Sequence, residues 1–182
     1  MIFFTSDEHY WHKNIIKFCE RPFESVREMN ETLVQNHNSI VNEGDTVFHL
    51  GDFVMSNDRK VAETIIASLK GNHVFTRGDH DRWMGNQRAP YIMIDKFDGH
   101  TIVMCHWCMH IWPKSHYNSW HIFGHSHGRL IRIDGKRYDV GVDNNGFFPV
   151  SLIKLKEIMN SLPDNRNFVG RFKKGKTGLS PQ

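Results

Sequence analysis

Two histidines stand two residues apart in Gly124-His125-Ser126-His127, directly after the apolar run Trp120-His121-Ile122-Phe123. Side chains at i and i+2 share a face only while the pleat of a strand persists, so a loop must carry this pair. A glycine that frees the backbone to turn at the strand end lets the two imidazoles diverge, and each can then give a nitrogen to a separate metal ion. The pattern predicts a two-metal site. Taken alone, however, it is more often the pattern of an ordinary surface loop, so the reading depends on partners elsewhere. They are present: Asp7 with His9, Asp52, Asp79 with His80, and His106 each follow immediately on a segment of strand character. In open α/β sheets the carboxyl ends of strands form the crevice where ligands bind, so residues far apart in sequence converge there.

Hard carboxylates with borderline imidazoles suit Mn²⁺, Fe or Zn²⁺ better than a thiolate-preferring ion. The expected cofactors are two divalent transition-metal ions, manganese first, with iron, zinc or nickel as alternatives. Two ions ~3.5 to 4 Å apart can share a hydroxide, neutralise phosphoryl oxygens and stabilise an in-line displacement. His80, beside the ligands but not needed as one, can protonate the leaving oxygen; its alternatives are a further ligand or a turn residue. Asp81 either orients that imidazole or is a plain turn acid.

The elements that must position these residues alternate short apolar runs with helical patterns. Ile2 to Ser6 reads as a buried strand. Ser25-Val26-Arg27-Glu28 is a capping box that opens a helix reaching towards Gly44. Thr46 to Leu50 is a second strand, residues from about Asn57 to Leu69 a second helix, and Val74 to Thr76 a third strand. Strands then follow without long helices: Tyr91 to Phe97, Thr101 to Cys105, Trp120 to Phe123, and a hairpin of Leu130–Ile133 with Lys136–Val140 across Asp134-Gly135. A last helix runs from Ser151 to about Ser161. The order βαβαβ followed by mainly β indicates a layered α/β fold, two sheets with helices outside.

The chain has 182 residues, 39% of them hydrophobic and 24% charged, which fits one globular domain, residues 1–162, followed by a basic tail, 163–182. That tail holds five basic residues (Arg166, Arg171, Lys173, Lys174, Lys176) and one acid, Asp164, so it carries +4 of the net +3 and the body −1. Such a tail is usually solvated, and nucleic acid is not the favoured partner. No apolar run approaches the length of a membrane span. Met1-Ile2-Phe3-Phe4 lacks the flanks of a signal peptide, and three cysteines fit reduced thiols. A cytoplasmic protein without membrane contact is expected.

Asp7-x-His9, Gly51-Asp52, Gly78-Asp79-His80-Asp81, His106 and Gly124-His125-x-His127, in that order, resemble the signature of the calcineurin-like metallophosphoesterases. The wording from Thr5-Ser6-Asp7-Glu8-His9 to His12-Lys13-Asn14-Ile15-Ile16 is similar to small bacterial and phage members without a cap domain. The resemblance implies a four-layer αββα fold, two mixed β-sheets packed as a sandwich flanked by helices. It also implies metal ligands: Asp7, His9 and His127 on the first ion, His106, His125 and Asp79 on the second, with Asp52 bridging. Asp79 departs from the family, which has asparagine there. Gly71-Asn72-His73 does spell the family's Gly-Asn-His, but it lies before the third strand, at the wrong end.

His12 and Asn14 are candidates for substrate phosphate, or else an exposed histidine and a helix-start asparagine. Cys105 and Cys108 have half the spacing of a structural zinc site; with no second pair, a buried thiol is favoured. Trp107, Trp112, Tyr117 and Trp120 can stack on a base but suit core or rim better. Asp143-Asn144-Asn145-Gly146 reads as a turn, with its asparagines near enough to touch substrate. The leading expectation is a two-metal phosphoesterase, more a phosphodiesterase than a monoesterase, whose partner is a small phosphoester or nucleotide-like substrate. A nuclease and a catalytically weakened protein-interaction module are the alternatives.

Overall fold

A computed structural model describes residues 1–85, 89–130 and 134–171. Three parallel strands, β1 (Ile2–Thr5), β2 (Thr46–His49) and β3 (Asn72–Phe75), form most of the first sheet, in the order β3-β2-β1-β8; β8 (Val150–Ser151) joins antiparallel at one edge. The second sheet is ordered β4-β5-β6-β7: β4 (Ile92–Phe97) pairs antiparallel with β5 (His100–Cys105), while β6 (Trp120–Phe123) and β7 (Arg137–Asp139) run parallel to β5. The expected α/β architecture of two mixed sheets flanked by helices is present, and each sheet has four strands.

Alternation along the strands divides the apolar residues between two cores. Phe4, Phe48, Ile102, Met104, Trp120 and Ile122 point between the sheets and pack together, with Phe97 edge-on to both Phe4 (5.9 Å) and Phe48 (5.5 Å). Each such fully buried side chain contributes about 2 kcal/mol. The outer face of the first sheet is covered by α2 (Val26–Ile40) and α3 (Arg59–Ile66), which bury Met29, Leu33, Ala62 and Ile65 against Phe53 and Val54. In α2 the Ser25 hydroxyl accepts from the Glu28 N–H at 3.1 Å, and the Glu28 carboxylate accepts from the Glu24 N–H at 2.8 Å. This is a capping box displaced by one residue on its return bond. Helix α4 (Leu152–Ser161) places Leu155 and Met159 in the intersheet core. Over the second sheet, Trp112 lies 5.4 Å from His121, so a loop supplies part of that outer cover.

A short helix, α1 (Lys13–Phe18), was not legible as periodicity. The expected hairpin across Asp134-Gly135 is corrected in part: its second arm is β7, which pairs parallel with β6, while residues 131–133 of the first arm lie outside the described residues. The start of the segment read as a tail packs on the body. Asn165 is buried, its amide donating to the carbonyls of Ser115 (3.0 Å) and Ser119 (2.9 Å) and its oxygen accepting from the Lys136 N–H. Lys173, Lys174 and Lys176 lie outside the described residues. No helix among the described residues is long and apolar enough to cross a membrane.

Candidate metal centre

The C-terminal ends of β1, β2, β5 and β6 meet at one edge of the sandwich. Asp7 and His9 arrive from the first sheet after β1, and Asp52 after β2; His106 arrives from the second sheet after β5, and His125 and His127 after β6. Asp7, His9, Asp52, His125 and His127 all have left-handed backbone, with φ between 47° and 64°. Few non-glycine residues adopt this conformation, and a set of five at one place marks strain held by surrounding structure.

Two donor groups result. Donor atoms of Asp7, His9 and His127 lie within 4.8 Å of one another, as do those of Asp52, His106 and His125. In the second group His106 Nε2 is 3.3 Å from Asp52 Oδ2 and 3.3 Å from His125 Nδ1. Donors bound ~2.1 Å from one ion at about tetrahedral angles are separated by ~3.4 Å, so this spacing fits one divalent ion. Asp79 Oδ2 stands 3.3 Å from His125 Nδ1 and accepts from Trp107 Nε1 at 3.2 Å. Asp52 Oδ2 also faces His9 Nε2 at 3.6 Å, so one oxygen lies between the two groups. His9 Nε2 is buried without a hydrogen-bond partner among the described residues, and burial holds this imidazole well below the ordinary histidine range. A cation satisfies such an atom; protein groups here do not.

Hydrogen bonds behind the donors fix their tautomers. The Leu50 carbonyl takes His106 Nδ1 at 2.9 Å, leaving Nε2 for the site. Asp143 takes His127 Nδ1 at 2.7 Å and is itself gripped by Arg21 through Nε (2.7 Å) and Nη2 (2.8 Å). The buried Arg21 also donates to the carbonyls of Asp7 (2.7 Å) and Glu8 (3.0 Å), tying the β1 end to His127. Neither Arg21 nor this use of Asp143 was foreseen. Asp143 reads as a turn in sequence, and Arg21 stands in an irregular stretch with no periodic signal.

Electrostatics follow from burial and charge. Burial pushes the Asp7 carboxyl up to about 7 against the pull of His106 and His127. For Asp52 burial acts upwards, but hydrogen bonding by His106 and the charges of His106 and His9 outweigh it and hold the carboxylate well below its ordinary range. His106 resists burial through Asp52 and Asp7 and reaches about 9. Without a cation the site thus keeps protons that a cation must displace.

The remaining expected residues divide. His80 donates its N–H to Asp52 Oδ1 at 2.8 Å, and its half-exposed imidazole lies with Nε2 3.9 Å from Asp52 Oδ2. Asp81, expected beside that imidazole, is directed elsewhere. Its buried carboxylate accepts from the N–H groups of Asp52 (2.8 Å), Phe53 (3.0 Å) and Gly78 (2.7 Å) and from Trp83 Nε1 (3.0 Å). It locks the β2 and β3 loops together. His12 and Asn14 line a cavity of about 530 Å³ over the donors, with Arg129, Phe18 and Cys19. Gly124 is needed for space rather than rotation: an added Cβ would stand 2.1 Å from Ser6 Oγ and 2.3 Å from Asp7 Oδ2, and it is His125 that turns left-handed. His73 of the Gly-Asn-His decoy bonds His49 at 2.9 Å inside β3, at the other end of the strand from Asp79. All three cysteines are free thiols, Cys105 buried.

No model of a known protein family matches the chain. It is 36% identical over 170 residues to the uncharacterised protein MJ1445 of Methanocaldococcus jannaschii, covering 86% of this chain and 91% of that one. A crystal structure of a protein of unknown function, AQ665 from Aquifex aeolicus, has the same fold, with a TM-score of 0.67 and 22% identity over 87% of this chain and 98% of that one. A conserved uncharacterised protein of Streptococcus pneumoniae TIGR4, described as a predicted phosphoesterase, overlaps with a TM-score of 0.40 and 16% identity over 77% of this chain and 70% of that one.

Proposed function

We propose that this chain, which belongs to the same family as the Methanocaldococcus jannaschii protein MJ1445, is a two-metal phosphoester hydrolase of the calcineurin-like kind, acting as a diesterase on small or nucleotide-like substrates. The observation that carries the reading is Asp52 Oδ2, one buried oxygen facing His9 Nε2 and His106 Nε2, with a donor group on either side. Asp7, His9 and His127 would hold one ion, and His106, His125 and Asp79 the other, with Asp52 shared. When bound, the ions supply positive charge that activates water and neutralises phosphoryl oxygens.

The chain's own groups do the rest. His12, Asn14 and Arg129, on the cavity wall, can donate to the outer oxygens of a phosphoester. The His80 imidazole, 40% exposed in the same cavity, is placed to give its Nε2 proton to the leaving oxygen. Arg21 and Asp143 hold His127 in one tautomer, so its Nε2 stays directed inward. Asp79 favours a second reading, a metal-bound interaction module with weakened catalysis, because its charge offsets that of the cations.

Protein loaded with Mn²⁺ should contain about two ions per chain by elemental analysis. It should hydrolyse bis-p-nitrophenyl phosphate faster than the monoester or single-stranded DNA, and His80→Ala should slow turnover ~10² to 10⁴-fold with metal content unchanged. Fully loaded protein that turns over none of the three substrates is not a hydrolase; DNA cleaved fastest would make it a nuclease.

A further inference from the structure

At the N-terminal end of β7, the opposite end of the second sheet from the metal donors, lies a cavity of about 140 Å³ whose lining includes His110, Trp112, Asp134, Arg137, Arg166 and Asn167. None of these residues lines the metal cavity. Arg137 is the buried member, only 9% exposed. Its guanidinium donates through Nε to the Asp134 carbonyl at 2.8 Å and through Nη1 to the Met109 carbonyl at 3.0 Å and the Cys108 sulfur at 3.6 Å, and it lies 5.7 Å from the centre of the Trp112 ring. Among the described residues Nη2 has no hydrogen-bond partner, and the cation has no carboxylate within ion-pair distance.

A buried cation is ordinarily paired, and the acids nearest in the chain do not pair with this one. Asp139, on the same face of β7, accepts from the N–H groups of Gly141 (2.8 Å) and Gly128 (3.2 Å) and from the Ser126 hydroxyl. Asp134 offers Arg137 its carbonyl rather than its carboxylate. A second guanidinium is brought to the cavity by the C-terminal segment. Arg166 stands between the buried Asn165, bonded to Ser115 and Ser119, and Asn167, whose amide donates to Ser115 Oγ at 2.9 Å. Arg166 itself makes no hydrogen bond or ion pair among the described residues. Two arginines therefore face one acid, Asp134, across the lining, a surplus of positive charge.

We propose that this cavity binds a tetrahedral oxyanion, a phosphate group, gripped by Arg137 Nη2 and the Arg166 guanidinium, with His110 and Asn167 beside it. The volume is that of four or five waters at ~30 Å³ each, and phosphate has five non-hydrogen atoms; a chloride would leave most of it unfilled. The donors come from three separate segments, the loop after β5, β7 and the C-terminal segment, so they meet oxygens that point in different directions. A carboxylate, with two oxygens in one plane, matches a single guanidinium fork instead. Phosphate bound here is independent of whatever the metal centre holds.

Nuclear magnetic resonance locates the ion. In the Zn²⁺-loaded protein, inorganic phosphate added at constant ionic strength should shift the Trp112 indole and Arg137 Nε–H resonances saturably, with a Kd at or below ~1 mM. Arg166→Ala, a change at an exposed side chain, should weaken this binding ~10-fold or more, as expected for one charge-assisted hydrogen bond, and Arg166→Lys should recover part of it. Asp134→Asn removes the one acid of the lining and should tighten binding several-fold. Sulfate should compete with phosphate, whereas acetate and chloride at the same concentration should not. No saturable shift at these two resonances, shifts confined to the metal ligands, an affinity unchanged in Arg166→Ala, or acetate binding as tightly as phosphate would each overturn the site. Because Trp112 and Arg137 lie away from the metal donors, phosphate held at the metal centre alone would leave both resonances in place, whether or not the protein proves to be a hydrolase.

Discussion

At the scale of single residues the centre is governed by charge. Were two divalent ions (+4) held with Asp7 and Asp52 (−2) and one hydroxide (−1), +1 would be left to attract phosphate, and Asp79 would cancel it. One unit charge ~4 Å away is worth at most ~4 kcal/mol at an effective dielectric of 20, or two to three decades in rate. Asp79→Asn should therefore raise turnover at saturating metal while weakening metal affinity; an unchanged rate would show that this carboxylate does not act on the ions. Trp107 Nε1, which holds Asp79 at 3.2 Å, can serve an asparagine oxygen equally well, so the substitution is a test of charge. Protons set a second expectation. In the metal-free protein His106 keeps its proton up to about 9 and Asp7 up to about 7. An ion held by Asp7 would displace its proton below pH 7, and an ion held by His106 would displace that one below 9, so each affinity should rise with pH by up to ~10-fold per unit, the first levelling near 7 and the second near 9. Mn²⁺ titrations at several pH values check this, and a flat profile would refute it.

At the scale of elements, the strand ends carry the site and glycines admit its carboxylates. A Cβ at Gly78 would stand 2.4 Å from Asp52 Oδ1, and one at Gly124 2.3 Å from Asp7 Oδ2. Gly124→Ala should cost on the order of 1–3 kcal/mol of stability and release the ion held by Asp7, visible as a metal content near one per chain; retention of two ions would show that the loop can yield. These strand ends were legible because continuous apolar runs announce buried strands and each candidate ligand follows one directly. Arg21 and Asp143 were not, since both belong to irregular segments brought together only by the tertiary fold, 122 positions apart. The left-handed conformations of Asp7, His9 and His125 were equally hidden. No residue type there asks for positive φ, and the sequence suggested that Gly124 would make the turn. Asp81 was misdirected for a related reason: adjacency to His80 in sequence says nothing of the four donors that the β2 loop, Gly78 and Trp83 bring to it.

At the scale of the molecule, the donors come from both sheets, so bound ions would tie the two halves of the sandwich at one edge. Ligand at 1,000 times its dissociation constant stabilises by ~4 kcal/mol per site, which for a chain of this size corresponds to a Tm shift on the order of 10 °C. Removing metal with a chelator should lower Tm by about that much, read by calorimetry, and an unchanged Tm would mean that the ions bind too weakly to matter. The bond from the His125 N–H to the Asp7 carboxylate spans 118 positions, and this has a consequence in time as well as in space. A ribosome releases Asp7 and His9 long before His106, His125, His127 and Asp143 exist, so an ion met by the nascent chain finds two isolated side chains and no cage. Closing so long a loop is slow, and it must precede capture. An ion would therefore find its full set of donors only once the two sheets have come together, so metal would be acquired by a protein already committed to its shape.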